Sequence, residues 1–372
     1  MTIRKPESEH SPMSGWDEYP IHQIAAPLRI VGTSDARAYE RYWFSAQDMD
    51  GEFAMMIGIG FYPNLGTVEA YVAFNHDHKH TTVRTHRHLN DTRNEISCGP
   101  FLFEVIEPFR EWRIRLGENE HGMRFDLRWR DTKRAIFQQL GGGTETTGRM
   151  PTAQCGYESF GRIEGEVVLD GRTFKLVPEK TLGSRDHHWG VRDGVGGPGH
   201  ADPGVRHSHL GQWVEFGDWS IWGRRCLLPL GASKRGALKI ARVDAALKFD
   251  PQTHHFIGGT VTNHLANGKV KVVHYDQIDD KVLYLRTGMY MNLYNQGTPD
   301  QNYYQGIDLG DGVSSRDTYD LTDPITRAHL AGFEDHLVRA TCDGETTVGL
   351  IEAMNPSLYE MAKAGLPGYK LA

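Results

Sequence analysis

Apolar and polar positions alternate with period two through much of this 372-residue chain. In Glu111–Leu116, Trp112, Ile114 and Leu116 are apolar between charged neighbours, and Met123, Phe125, Leu127 and Trp129 alternate with Arg124, Asp126, Arg128 and Arg130. Side chains on a strand point to opposite faces in turn, so each segment predicts a half-buried antiparallel strand. Residues 52–61 (EFAMMIGIGF) are nearly all apolar or small, as a strand covered on both faces requires. Further strands are expected at 67–74, 101–106, 212–222, 239–249, 256–263, 269–275, 281–290 and 346–354. Asp170-Gly171, within a hairpin over 162–176, and Asn267-Gly268 are hairpin turn pairs. One helix is expected, at the C-terminus, with Asn355 as cap, Pro356 in its first turn and Gly365 at its stop.

The pattern predicts an all-β chain of two tandem antiparallel β-barrels or sandwiches with a short C-terminal helix. A chain of this length exceeds what one core usually supports. We expect a flexible lead over 1–20, one β domain over 21–182 and a second over 183–372. The 42 glycines suit a turn-rich chain, and a net charge of −7 argues against nucleic acid as a partner. Cys98, Cys155, Cys226 and Cys342 form no CxxC pair, and no apolar run is long enough to span a membrane. A cytoplasmic protein follows as the expectation, with a homodimer left open.

Chemistry concentrates in Ser184–Asp193 (SRDHHWGVRD), with two arginines, two aspartates, two histidines and a tryptophan. Such a set is costly to bury without reason. If the segment is extended, Arg185, His187 and Trp189 share one face and Asp186 and His188 the other. The first group is then the expected cavity wall. Asp186 would orient or charge-stabilise a neighbouring imidazole, while Arg185 and Arg192 would hold the elbow. The bland reading is a salt-bridged elbow with Trp189 as filler. Phe216-Gly217-Asp218-Trp219 offers a second candidate: either an aspartate between aromatics whose pKa desolvation would raise, or an edge or turn aspartate exposed to water.

Two further sets weigh less. His76, His78 and His80, followed by Arg84, His86, Arg87 and His88, have the spacing of a metal-binding strand, but interleaved Lys and Arg favour a solvated strand and turn. His207 and His209 read the same way. Tyr275, Tyr290, Tyr294, Tyr303 and Tyr304 either line a ligand cavity or are ordinary strand residues.

The stretch Gly183–Arg192 (GSRDHHWGVR) resembles the signature of the AttH-like family. That family includes the carotenoid 1,2-hydratases, and tocopherol cyclases are related in fold. The resemblance implies tandem lipocalin-like barrels and acid catalysis on a hydrophobic substrate without a cofactor. It also implies a catalytic set of His-x-Trp, matched by His187 to Trp189, and Tyr-x-Asp. Phe216-Gly217-Asp218 is the nearest match to the latter, with phenylalanine at the tyrosine position.

The leading expectation is a cofactor-independent lyase, hydratase or cyclase acting on an isoprenoid, steroid or bulky aromatic molecule. Asp218 would donate the proton, with His187 as base beside Asp186 and His188. Trp189, Arg185, Arg192, Trp219, Tyr275 and Tyr290 would contact substrate. The alternatives are a non-catalytic carrier of an apolar ligand and a metal hydrolase built on the His76–His88 cluster.

Overall fold

The computed structural model describes residues 15–90, 95–133, 135–139, 153–192, 194–197, 210–223, 226–229, 238–288, 304–331 and 334–353. The first part of the chain supplies β1 (Ala38–Asp48), β2 (Phe53–Tyr62), β3 (Thr67–His76), β4 (Lys79–His88), β5 (Ser97–Cys98) and β6 (Phe101–Glu107). It continues with β7 (Glu111–Leu116), β8 (Met123–Asp131), β9 (Ile136–Gln139), β10 (Ala153–Leu169), β11 (Arg172–Leu176) and β12 (Thr181–Val191). The second part supplies β13 (Leu210–Glu215), β14 (Trp219–Trp222), β15 (Cys226–Pro229), β16 (Leu238–Phe249), β17 (Phe256–Leu265) and β18 (Val270–Tyr284). Then come β19 (Ser314–Asp320), the helix α1 (Pro324–Leu330), β20 (Glu334–Cys342) and β21 (Glu345–Ala353).

The fold is all-β, as expected, and forms two curled antiparallel sheets. The first runs β19-β4-β3-β2-β1-β12-β10-β8-β7-β6-β5, with β9 and β11 also pairing with β10. It curls far enough for the Cys98 thiol, on its last strand, to reach the carbonyls of Val68 and Thr85 on β3 and β4. The second sheet closes as β13-β14-β15-β16-β17-β18-β20-β21. Phe44, Trp112, Trp129 and Phe174 fill the first sheet's interior, and Val214, Phe216, Tyr275 and Val338 the second's. A third apolar layer (Trp43, Met56, Tyr71, Leu283, Leu337 and Leu350) joins the outer face of the first sheet to the second.

Three expectations need correction. β12, which carries the central motif, does not open the second domain: it is hydrogen-bonded between β1 and β10 in the first sheet. The chain also returns to the first sheet late, because β19 pairs with β4. Residues 212–222 are not one strand. They fold as the β13–β14 hairpin, and the Phe216 N–H donates to the Trp219 carbonyl at 2.8 Å to close the Gly217-Asp218 turn. The helix expected over 355–365 lies outside the described residues. Among the described residues the α-helix is α1, whose cap Asp323 accepts from the Ile325 and Thr326 N–H groups ahead of Pro324.

Candidate active site

Strand parity on β12 holds as expected. Arg185, His187 and Trp189 face the aromatic interior of the first sheet, while Asp186 and His188 face outward, toward the second sheet. On the inner face, the His187 Nε2 lies 2.9 Å from Glu40 Oε1, and its ring stacks on Tyr42 at 4.0 Å. Trp189 leans against it at 4.9 Å and Tyr157 meets it edge-on at 5.4 Å. Below them Arg185 is wholly buried, donating through Nε and a terminal nitrogen to Asp131 at 2.8 and 2.6 Å. Its guanidinium also lies over the rings of Trp112 and Tyr157. Arg185 is therefore a floor under the aromatic residues.

On the outer face, Arg41 reaches Asp186 at 3.3 Å, and His188 Nδ1 lies 3.6 Å from the same carboxylate. Burial is the main cause that pushes His188 down to about 4. Glu158 accepts from the Trp213 indole at 2.7 Å, which ties this patch to the second barrel. Asp335, Glu352 and Glu334 lie across from it, and burial with the neighbouring acids holds the Asp335 carboxyl well above the usual range. The patch carries the inter-sheet contact.

The other expected residues do not converge on the motif. Asp218 sits exposed in the β13–β14 turn, with Lys133 and Lys271 in electrostatic reach. That exposure removes the desolvation that was to make it a proton donor, and its sheet is not the one that carries His187. Trp219 is buried and stacked on Phe216 at 4.2 Å, as core packing. Tyr275 is fully buried inside the second barrel, its hydroxyl donating to Gln212 at 2.7 Å. Arg192 closes the end of β12, where its N–H donates to the Arg37 carbonyl. Tyr290, Tyr294, Tyr303, His207, His209 and Asp193 lie outside the described residues.

The histidine cluster is split by the β3–β4 turn, where Asp77 and His78 take positive φ values of 44° and 59°. His76 packs against Phe74 and Phe174, His78 pairs with Asp280, His80 meets Thr287, and His88 meets Asp308. The three leading histidines thus do not share a face. Among the described residues His78, Asp279 and Asp280 come within metal-ligating reach of one another. The Lys281 ammonium, 3.4 Å from both carboxylates, already offsets one of their two charges.

A concave site lies elsewhere on the same outer face. Cross-strand register sets His86, Glu69, Gly60, Arg41 and His188 in one row over β4, β3, β2, β1 and β12. Arg84, Tyr71, Gly58, Trp43 and Asp186 form the adjacent row. The row separates His188 from Glu69 by three strand spacings, roughly 14 Å at the usual interval. At the Glu69 end a cavity of about 210 Å³ opens. Glu69, Tyr71, Arg84 and His86 line one side, and Tyr304, Ile307, Leu309 and Val313 bring largely apolar groups to the other.

Glu69 has the chemistry of an acid kept neutral. Burial raises its carboxyl to about 8, against opposing pulls from Tyr62, the Gly306 N–H and Arg84. The buried Tyr62 hydroxyl donates to Oε1 at 2.5 Å. Gly306 reaches the carboxyl at a φ of +83°, where a Cβ would stand 2.6 Å from the Tyr62 ring. Gly288 lies flat on Tyr71, where a Cβ would come within 2.3 Å of the ring. Arg84 is spoken for, donating to the Thr287 carbonyl at 2.5 Å and to Asp317. His86 is driven down to about 4, mainly by burial and then by Arg84, and is neutral at physiological pH. Sequence reasoning missed Glu69, Tyr62 and Tyr71, and met Arg84 and His86 only within the histidine cluster. No local signal marks them, because the row exists only once five strands are in register.

Solved structures of the same architecture are similar to this chain. An AttH candidate from Nitrosomonas europaea aligns over 91% of this chain and 98% of its own, with a TM-score of 0.51 and 14% identity. Kievitone hydratase from Nectria haematococca aligns over 88% and 93%, with a TM-score of 0.39 and 11% identity. CghA, solved with Sch210972, aligns over 86% and 89%, with a TM-score of 0.44 and 10% identity. The first of these carries the fold assignment, which is the AttH-like one. The chain belongs to the family of unknown function DUF8625, whose model matches residues 13–219 and so includes β1–β12 with the cavity-lining parts of β3 and β4. No curated protein matches the sequence. Among the described residues no helix is long and apolar enough to cross a membrane.

Proposed function

We propose that the protein is an acid–base enzyme that protonates a neutral, mostly apolar small molecule, with Glu69 as the proton donor. One observation carries this reading: a buried carboxyl, protonated up to about pH 8, lines a cavity with an apolar wall. A carboxylic acid held neutral by its surroundings can give a proton at neutral pH, where an exposed glutamate cannot. Tyr62 and the Gly306 N–H remain to stabilise the carboxylate once the proton has left. This moves the donor from Asp218 to Glu69 and keeps the expected class of reaction: hydration, elimination or cyclisation of a hydrophobic compound. The reaction needs a donor and an acceptor, both of which the chain supplies.

A passive carrier would be served by a purely apolar lining, and Glu69, His86 and Arg84 in this cavity weigh against it. Incubating an apolar metabolite extract with the protein and following it by mass spectrometry tests the proposal. Wild type should consume a compound and return a product of equal mass or one differing by a single water. Glu69→Gln should lower that turnover at least about 100-fold, the usual scale for losing a general acid. Equal turnover by the variant, or no compound consumed by wild type, contradicts the assignment.

A further inference from the structure

We propose that the cavity is a carbonyl site, where Glu69 holds the oxygen of a ketone-like group and His86 removes a proton from the carbon beside it. This rests on the reading of Glu69 as a proton donor and adds a substrate class and a base.

Glu69 and His86 are direct cross-strand partners on β3 and β4, with His86 Nδ1 3.9 Å from Glu69 Oε2. That is too long for a hydrogen bond between them. Tyr62 donates to the other carboxyl oxygen, Oε1, so the acid proton belongs on Oε2, the oxygen nearer His86. Among the described residues the buried Nδ1 of His86 and the buried Tyr71 hydroxyl have no hydrogen-bond partner. A neighbouring histidine and glutamate in water would exchange a proton and form an ion pair. Here burial holds both neutral, which leaves one group able to give a proton and the other able to take one. Among the described residues Arg84, Asp308, Tyr62, Tyr71, Tyr304 and Cys98 are charged or titratable groups around the pair, and Arg84 is tied to Asp317.

The step balances without a co-reactant. The Oε2 proton passes to the carbonyl oxygen as the C=O π pair moves onto that oxygen. His86 Nδ1, with its own proton on Nε2, takes a proton from the adjacent carbon, and that C–H pair becomes the new C=C bond. Reversal returns both protons. In a β,γ-unsaturated ketone, return of the proton to the γ carbon moves the double bond into conjugation. Neutral, enolisable or β,γ-unsaturated ketones fit this cavity, because Arg84, the cation among its described lining residues, is already paired and the acid carries no charge.

Cyclohexanone in deuterated water is a sufficient probe. Wild type should place deuterium on the carbons beside the carbonyl at least about tenfold faster than protein-free buffer, as expected when a positioned base is added. The rate should be level near neutrality and fall above about 8, as Glu69 ionises. His86→Gln and Glu69→Gln should lose the exchange, while Asp218→Asn, altered in an exposed turn, should keep it. No exchange by wild type, exchange retained in folded His86→Gln, or a wild-type profile without the limb near 8 overturns the proposal. The infrared band of a neutral carboxyl, assigned to Glu69 by its loss in Glu69→Gln, separates the two readings. Present without exchange, it leaves Glu69 a donor and removes the carbonyl role; absent, it removes both.

Discussion

Arg185→Met should destabilise the protein by about 3–5 kcal/mol, the usual cost of removing one partner of a buried ion pair. The pair is fully desolvated, with 0% and 2% of the Arg185 and Asp131 side chains exposed. Methionine can fill the aliphatic volume but, among the described residues, leaves the Asp131 carboxylate with the Trp129 indole, 2.7 Å away, as its remaining side-chain donor. The contact of the guanidinium with the Trp112 and Tyr157 rings is lost as well. A fall in Tm of roughly 10 °C is expected from an effect of that size. Adding Asp131→Asn should recover part of it, because the stranded charge is gone. A loss under about 1 kcal/mol in chemical denaturation would show that the pair is not the floor that its burial suggests.

Acidification should produce an effect at least as large. His80, His86, His188, His255 and His336 are all buried and pushed down to between about 3 and about 4. Desolvation is the leading cause for each. Below about 6.5 the unfolded chain takes up protons that these five refuse, so stability is lost as pH falls. Glu69 and Asp335 act in the opposite sense. The contribution of Glu69 is largest in acid and is drawn down as pH rises toward about 8, and the raised Asp335 carboxyl acts in the same direction. Near pH 5 the difference, five histidines less two carboxyls, is about three protons, or roughly 4 kcal/mol per pH unit. Above neutrality only the carboxyls remain, and the sign reverses. Stability should therefore peak between about pH 6 and 7 and be mostly gone within about two units of acidification, since total stabilities are about 5–15 kcal/mol. Calorimetric Tm values from pH 5 to 8.5 test this. A flat profile, or one rising toward pH 5, contradicts the buried-neutral assignment.

Where the sequence was legible, burial was one-sided. The alternation in Glu111–Leu116 and Met123–Arg130 locates β7 and β8 almost to the residue, because one face meets the aromatic core and the other water. β1 escaped notice for the opposite reason: it is buried on both faces over most of its length, so AYERYWFSAQD shows no clean period. Strand parity divided the central motif correctly. What it could not supply was the meaning of each face, because that depends on which strands lie alongside. Gly217-Asp218 is a turn rather than mid-strand for a similar reason. The alternation in QWVEFGDWSIW continues through it, and only the hairpin hydrogen bond reveals the reversal. Glu69 lies in a strand of mainly apolar residues, TVEAYVAFNH, where a lone carboxylate reads as solvent-facing. Its burial comes from residues far along the chain, with Gly306 beside it and the 304–315 segment across the cavity.

Proton donation requires Glu69 to be a carboxylic acid rather than a carboxylate under working conditions. Infrared difference spectroscopy of wild type against Glu69→Gln, taken from pH 6 to 9.5, measures this directly. A neutral-carboxyl band should be present in wild type at pH 7, missing from the variant, and replaced by carboxylate absorption with a midpoint near 8. A band already absent at pH 6 would contradict the account, since Glu69 would then have no proton to give.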